Sequence, residues 1–253
     1  MYELTITYIC ILVVTGFLAG IINTMAGGGS NLTIPALMII GLPPEIANAT
    51  NRVSVLSQTL TATYGFKQRD KLNIADIKAV VGTTVIGGLF GAFSASYLPS
   101  EYLKPALLGS MSLMAAFILF KKNSILVPEG TIPYTVSKRK RSIPILLLAG
   151  FYGGFIQAGV GFILIAAIAG GLRYDLIKTN ALKIVCTAGF TLIALSVFIV
   201  RDQVWWVPGL IVAAGSILGA HLAVKITINI SQKQLKWFIF LMTIFASIAA
   251  LLS

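Results

Sequence analysis

The sequence predicts an all-α integral membrane protein with two inverted-topology repeats, each of about four spanning helices plus one short broken or re-entrant helix. Three observations support this fold class. Hydrophobic residues make up 57% of the chain and charged residues 11%, which is not the balance of a water-soluble protein. Apolar stretches near the length of a bilayer-crossing helix recur along the chain. The order of motifs in the first half returns in the second half.

The apolar segments define the predicted elements. The longer segments, most of them near spanning length, are 4–25, 46–66, 75–97, 102–120, 143–155, 176–200, 204–224 and 235–252. Two shorter segments, 32–40 and 162–169, follow glycines and occupy equivalent places in the two halves. We expect them to be short or broken helices, which membrane proteins tolerate where they are buried in protein or line a cavity.

The internal similarity divides the chain. GFLAGIINTMAGGG from Gly16 resembles GFYGGFIQAGVG from Gly150, and ATNRVSV from Ala49 resembles TNALKIV from Thr179. We therefore expect residues 1–120 to form the first membrane repeat, 121–142 a cytoplasmic basic linker and 143–253 the second repeat. Because five elements per half is an odd number, the second repeat begins on the opposite side of the membrane from the first. Such inverted repeats are typical of secondary transporters.

The basic residues predict the orientation, since cytoplasmic loops collect lysine and arginine. Placing both termini outside puts the basic stretches at 67–78 and 121–141 in the cytoplasm, including KRKR from Lys138. We expect a multi-pass protein of the plasma (inner) membrane. The net charge of +11 then reflects topology and contact with anionic membrane lipids, so no nucleic-acid partner is expected.

Glycine-rich breaks precede both short elements. Three glycines before a serine and an asparagine would let backbone N–H groups turn towards an anion at a helix start. The alternative is close helix packing through small residues. The candidate binding residues here are Gly27, Gly28, Gly29, Ser30 and Asn31, with Gly159 and Gly161 in the second half.

A second group of candidates lies at the start of the next long segment in each half: Thr50, Asn51 and Arg52, with Thr179, Asn180 and Lys183 as counterparts. A cation within the membrane usually faces a cavity, a partner or the interface. Arg52 and Lys183 would attract an anionic substrate. The alternative is snorkelling to the headgroups, or pairing with Glu45 and Asp175.

The acidic residues exclude several kinds of site. All eight fall at predicted helix ends or in loops, so neither a proton relay of carboxylates nor the counter-charge of a cation has a candidate. This favours an anionic substrate. His221 has no second ligand candidate, and Cys10 and Cys186 lie in predicted helices. We therefore predict no metal site, no cofactor, no catalytic residue and no enzymatic activity.

A family resemblance rests on AGGGSNLTIPALMIIGLPPEIANATNRV from Ala26 and on GFYGGFIQAGVGF followed by TNALKIV. These motifs resemble the TauE/SafE sulfite exporter family, also called the TSUP permeases, over nearly the whole chain. The second half departs from that pattern, because AAIAGGLRYD stands where a proline-bearing segment is common. The resemblance implies a multi-pass membrane protein that moves sulfite or other sulfur-containing anions.

Together these observations predict a secondary transporter (permease or exporter) of small anions, sulfite or organosulfur anions such as sulfonates, working by alternating access between the repeats. An anion channel with a basic-lined pore is the alternative. The expected partners are the small anion and membrane lipids. The sequence leaves the oligomeric state open, with a homodimer as one option.

Overall fold

The computed structural model describes residues 4–72, 74, 76–107, 109–110, 127, 131–229 and 234, which form helices, turns and loops. The helices are α1 (Ile6–Met25), α2 (Ser30–Ile39), α3 (Pro44–Lys67), α4 (Ile77–Tyr97), α5 (Ser142–Phe155), α6 (Val160–Ile165), α7 (Leu176–Val200) and α8 (Trp206–Asn229). Residues 100–107 are also helical. The predicted span at 235–252, most of the one at 102–120 and most of 121–130 lie outside the described residues.

Four of the described helices, α1, α4, α7 and α8, are long and apolar enough to cross a membrane. Their outer surfaces carry large apolar side chains such as Val14, Phe90 and Leu210, whereas polar side chains such as Asn51 are buried. A water-soluble protein shows the opposite distribution. The chain is therefore built to have its outer surface in lipid.

The short elements follow the glycine breaks, as predicted. Helix α2 has 10 residues and contains Pro35, which cannot donate a backbone hydrogen bond. Helix α6 has 6 residues and continues as a π-helical stretch, Ala166–Leu172. Helix α5 has 14 residues, which at 1.5 Å per residue corresponds to about 21 Å and is less than the thickness of a bilayer core.

The described helices pack as two bundles. Helices α1, α2, α3 and α8 pack together in bundle A, and α4, α5, α6 and α7 pack together in bundle B. Helix α3 also packs against α8 within bundle A, and α4 packs against α7 within bundle B. Contacts between α3 and α7 connect the two bundles. Helices α4 and α8, the last numbered helix of each predicted repeat, are thus exchanged: each packs most extensively against the first helix of the other half.

Glycines bring the paired helices into backbone contact. At Gly16 of α1, an added Cβ atom would collide with the main chain of Val212 on α8. The matching contacts are Gly20 on Ser216, Gly150 on Thr84 and Gly154 on Gly88. Apolar side chains gain little by leaving lipid, so close approach through small residues is the main way for membrane helices to associate. The glycines therefore hold each bundle together.

The described end of the central linker lies against bundle B. The backbone N–H of Tyr134 donates to the carbonyl oxygen of Leu172 at 2.8 Å, and that of Val136 donates to the Asp76 carboxylate. The Arg139 guanidinium lies 5.1 Å from the centre of the Tyr134 ring. These contacts tie the linker to the end of the π-helical stretch and to the start of α4.

Candidate functional site

A small cavity lies where the two glycine breaks meet between the bundles. From bundle A it is lined by Asn23, Gly27, Ser30, Val55 and Thr59. From bundle B it is lined by Gln157, Val160, Gly161, Lys183, Ile184 and Thr187. The cavity has room for about one water molecule. Among the described lining residues there is one cation and no carboxylate, so the lining suits an anion.

Gly27 and Gly161 form a backbone contact between the bundles. A Cβ atom added to either residue would collide with the Cα atom of the other. Gly27 also has a φ of +115°, which side-chain-bearing residues rarely adopt. These two glycines therefore let the backbones of the two breaks touch beside the cavity.

Lys183 reaches across from α7 to the end of α1. Its Nζ atom donates hydrogen bonds to the carbonyl oxygens of Asn23, at 3.0 Å, and Thr24, at 3.2 Å. The last carbonyls of a helix have no partner within the helix and attract cations. Lys183 thus stabilises the broken end of α1 while it lines the cavity. The side chain is buried, and the ion pair of Asp175 is with Lys178.

Arg52 makes the reciprocal contact from α3 to the end of α5. Its Nη1 atom donates to the carbonyl oxygen of Gly153, and its Nη2 atom donates to those of Gly154, at 2.9 Å, and Phe155, at 3.3 Å. The guanidinium also lies 5.5 Å from the centre of the Phe198 ring. Arg52 is fully buried but does not line the cavity. Its geometry excludes snorkelling to the headgroups.

Asn51 supports the start of α2. Its Oδ1 atom accepts a hydrogen bond from Thr33 Oγ1 at 2.6 Å, and its Nδ2 atom donates to Ser30 Oγ at 3.1 Å. Because Ser30 lines the cavity, Asn51 stands one contact behind it and orients its hydroxyl group.

The remaining candidates of the second group lie elsewhere. Thr50 Oγ1 accepts from the backbone N–H of Trp205 at 3.0 Å, and Thr179 Oγ1 donates to the carbonyl oxygen of Tyr174 at 3.2 Å. Both amide atoms of Asn180 are buried with no hydrogen-bond partner among the described residues. None of the three lines the cavity.

Of the predicted site residues, the structure brings four together at the cavity: Gly27, Ser30, Gly161 and Lys183. The other nine do not line the cavity. Four of them lie at the glycine breaks: Gly28, Gly29, Asn31 and Gly159. The other five lie on α3 and α7: Thr50, Asn51, Arg52, Thr179 and Asn180. The glycine breaks and the two cations therefore belong to one region. Only part of the predicted set faces the empty space.

Sequence reasoning missed the polar residues Asn23, Thr59, Gln157 and Thr187. A signal for two of them was present, since Asn23 and Gln157 occupy matching positions in GFLAGIIN and GFYGGFIQ. A carboxamide retained at the same place in both copies of a membrane helix indicates a role at the break. Thr187 follows Lys183 by one helical turn and so shares its face.

Comparison with known proteins places the chain among membrane transporters. The model of the family described as "Sulfite exporter TauE/SafE" matches residues 12–250. A "Probable membrane transporter protein YfcA" of Escherichia coli K12 is 30% identical over 233 residues, covering 89% of this chain and 83% of the relative. A "Probable membrane transporter protein" of Haemophilus influenzae is 29% identical over 234 residues, covering 90% and 88% respectively.

Proposed function

Because the chain belongs to the TauE/SafE sulfite exporter family of membrane transporters, we propose that it moves a small anion, sulfite or an organosulfur anion such as a sulfonate. It acts as a secondary transporter by alternating access, and it is not an enzyme. Its place is the plasma membrane, with both termini outside and the basic linker in the cytoplasm.

The observation that carries this proposal is the Lys183-lined cavity between the bundles. A buried cation facing a cavity is costly in a membrane and needs compensation by dipoles or a counter-ion. Two carbonyl oxygens supply the dipoles. A substrate anion supplies the missing negative charge, because no carboxylate occurs among the described lining residues. Gly27, Ser30 and Gly161 complete the site, and Arg52 and Asn51 position the elements around it.

The small size of the cavity supports alternating access. An oxyanion is larger than the one water molecule for which there is room, so binding requires the bundles to separate. Bundles A and B would move as rigid bodies relative to each other, since backbone contacts at glycines hold each bundle together. The hydrogen bonds of Arg52 and Lys183 both cross between bundles and would hold the closed state.

Matched contacts support the inverted-repeat arrangement. Gly16 and Gly150, at the same place in the two repeats, contact Val212 and Thr84, each five residues before a similar motif, ILGAHLA from Ile217 on α8 and LFGAFSA from Leu89 on α4. The helix packing repeats in the same way: α1 with α8 corresponds to α5 with α4, and α3 with α8 corresponds to α7 with α4. Such correspondence is what two copies related by a pseudo-two-fold axis would give.

Lys183→Gln tests the proposed site. We expect the purified variant to bind sulfite about tenfold to a hundredfold more weakly than wild type, because a charge-assisted contact contributes about 1.5–3 kcal/mol. Lys225→Gln, which removes an exposed lysine from α8, should leave the affinity unchanged. Equal affinity in Lys183→Gln and wild type would remove Lys183 from the site.

The transport mode needs a separate measurement in liposomes. Saturable uptake with counterflow of labelled sulfite supports a carrier. Unitary conductance would instead establish the anion channel. A screen of sulfite, sulfate, thiosulfate, sulfonates and simple carboxylates identifies the substrate class, and binding of carboxylates alone would contradict the sulfur-anion proposal.

A further inference from the structure

Gln157 stands at the break between α5 and α6 in an unusual backbone conformation. Its φ is +70°, in the left-handed region that residues other than glycine rarely adopt. The side chain is 2% exposed and lines the cavity. Strained backbone of this kind persists where surrounding structure holds it, and it is often found at ligand sites. The conformation is therefore consistent with a ligand-binding role for the Gln157 side chain.

The carboxamide of Gln157 has one satisfied end and one free end. Its Nε2 atom donates to Thr191 Oγ1 at 3.0 Å, whereas Oε1 is buried without a hydrogen-bond partner among the described residues. The matching residue Asn23 differs, since its Oδ1 atom accepts from the backbone N–H of Gly29 at 2.7 Å. A buried acceptor without a partner is costly, and a ligand in the cavity that donated a hydrogen bond to Gln157 Oε1 would remove that cost.

The donors available to an anion in this cavity are few. An ammonium group has three N–H donors, and Lys183 already uses two of them on Asn23 and Thr24. Ser30 Oγ accepts from Asn51, so its own O–H can donate to a ligand. The hydroxyl groups of Thr59 and Thr187 donate to backbone carbonyls of their own helices. The described lining thus offers one positive charge, N–H and O–H donors on Lys183, Ser30 and Asn23, and one buried acceptor without a described partner, Gln157 Oε1.

A fully deprotonated oxyanion would fit this set poorly. Its oxygens would lie near Gln157 Oε1, another acceptor, and a second negative charge would have no cation among the described lining residues. A ligand with one negative charge and one O–H group uses both the donors and the free acceptor. The negative oxygens accept from Lys183 and Ser30, and the O–H donates to Gln157 Oε1.

We propose that Gln157 is a substrate-binding residue that selects monoanions carrying an O–H group, such as a hydrogen oxyanion or a hydroxyalkyl sulfonate. This inference rests on the proposed function and adds that the substrate carries one negative charge and an O–H group. It assigns Gln157 to specificity and leaves charge recognition to Lys183.

The test compares two permanent monoanions of similar size on the purified full-length protein. Isethionate carries a terminal hydroxyl where propanesulfonate carries a methyl group. Calorimetric titration of wild type should show isethionate binding about tenfold more tightly, the scale of one added hydrogen bond. Gln157→Leu should bind the two sulfonates about equally. Gln203→Leu is the matched control, because Gln203 also has a buried Oε1 atom without a described partner but lies away from the cavity.

The outcomes separate this inference from the proposed function. Equal binding of the two sulfonates to wild type overturns the inference and leaves anion transport standing, as does an isethionate preference retained in Gln157→Leu. Absence of binding by sulfite and both sulfonates overturns both. If Gln157→Leu is not monodisperse, the wild-type comparison of the two sulfonates decides the matter.

Discussion

Gly27 packs backbone to backbone against Gly161, so the two glycine breaks meet at a point where neither residue could carry a side chain. This contact joins bundle A to bundle B beside the cavity. The contact leaves no room for a side chain, because a Cβ atom added to either glycine would collide with the backbone of the other. The observed packing of the two bundles at this point therefore requires glycine at both positions.

Gly27→Ala should insert into the membrane normally but transport at least tenfold more slowly than wild type. The added Cβ atom meets the Gly161 backbone, and the φ of +115° is strained for alanine. Initial uptake rates in liposomes, normalised to reconstituted protein, provide the measurement. Gly82→Ala is the control, because a Cβ atom at Gly82 has no neighbour within 4 Å. Wild-type uptake by Gly27→Ala would show that the bundles tolerate a wider separation.

Arg52→Gln should lower thermal stability more than a surface substitution does. The variant leaves the carbonyl oxygens of Gly153 and Gly154 without their charged donor, and each charge-assisted hydrogen bond contributes about 1.5–3 kcal/mol. We expect the thermal midpoint of monodisperse elution in detergent to fall by several degrees. Arg141→Gln, at an exposed position, should not change it.

Arg52→Lys should fall between these two variants, because lysine keeps the charge but cannot span several carbonyls with a planar fork. If Arg52→Lys matches wild type in stability, charge alone suffices and the fork geometry is unimportant. If Arg52→Gln also matches wild type, the contact between α3 and α5 contributes nothing measurable.

A cysteine at Ser137 should resist labelling by a membrane-impermeant maleimide in intact cells, and it should react after permeabilisation. Ser137 is exposed in the described part of the linker, and positively charged loops remain in the cytoplasm. The experiment needs a background in which Cys10 and Cys186 are serine. A cysteine at Ser253 should react in intact cells. The reverse pattern would invert the predicted topology.

Apolar length and glycine punctuation predicted where most of the described helices begin and end. The predicted segment 176–200 coincides with α7, and the predicted short segment 32–40 overlaps α2 over all but its ends. These features are local, since a spanning helix is recognised from its own composition. The exchange of α4 and α8 between the bundles depends on contacts between distant parts of the chain. Because the helices are similarly apolar, their composition does not predict which helix packs against which.

Arg52 and Lys183 show the same difference between features that are local in the sequence and contacts that are not. Their presence near the breaks was predictable, but their partners are carbonyl oxygens of the opposite half, which any residue supplies. Arg52 follows Asn51 directly, whereas Lys183 comes three positions after Asn180. Each residue turns a helix by about 100°, so a difference of two positions places the two cations on different faces. Hence Lys183 lines the cavity and Arg52 does not.

The pairing of α1 with α8 has a consequence for biosynthesis. The ribosome delivers α1 first, yet the backbone groove that receives Gly16 and Gly20 belongs to a helix completed some 200 residues later, at a chain-growth rate of about 5–20 residues per second. During those seconds α1 sits in the bilayer without its partner. Membrane insertion and tertiary assembly are therefore separate events in time, and a chain interrupted before α8 leaves its first helix unpaired.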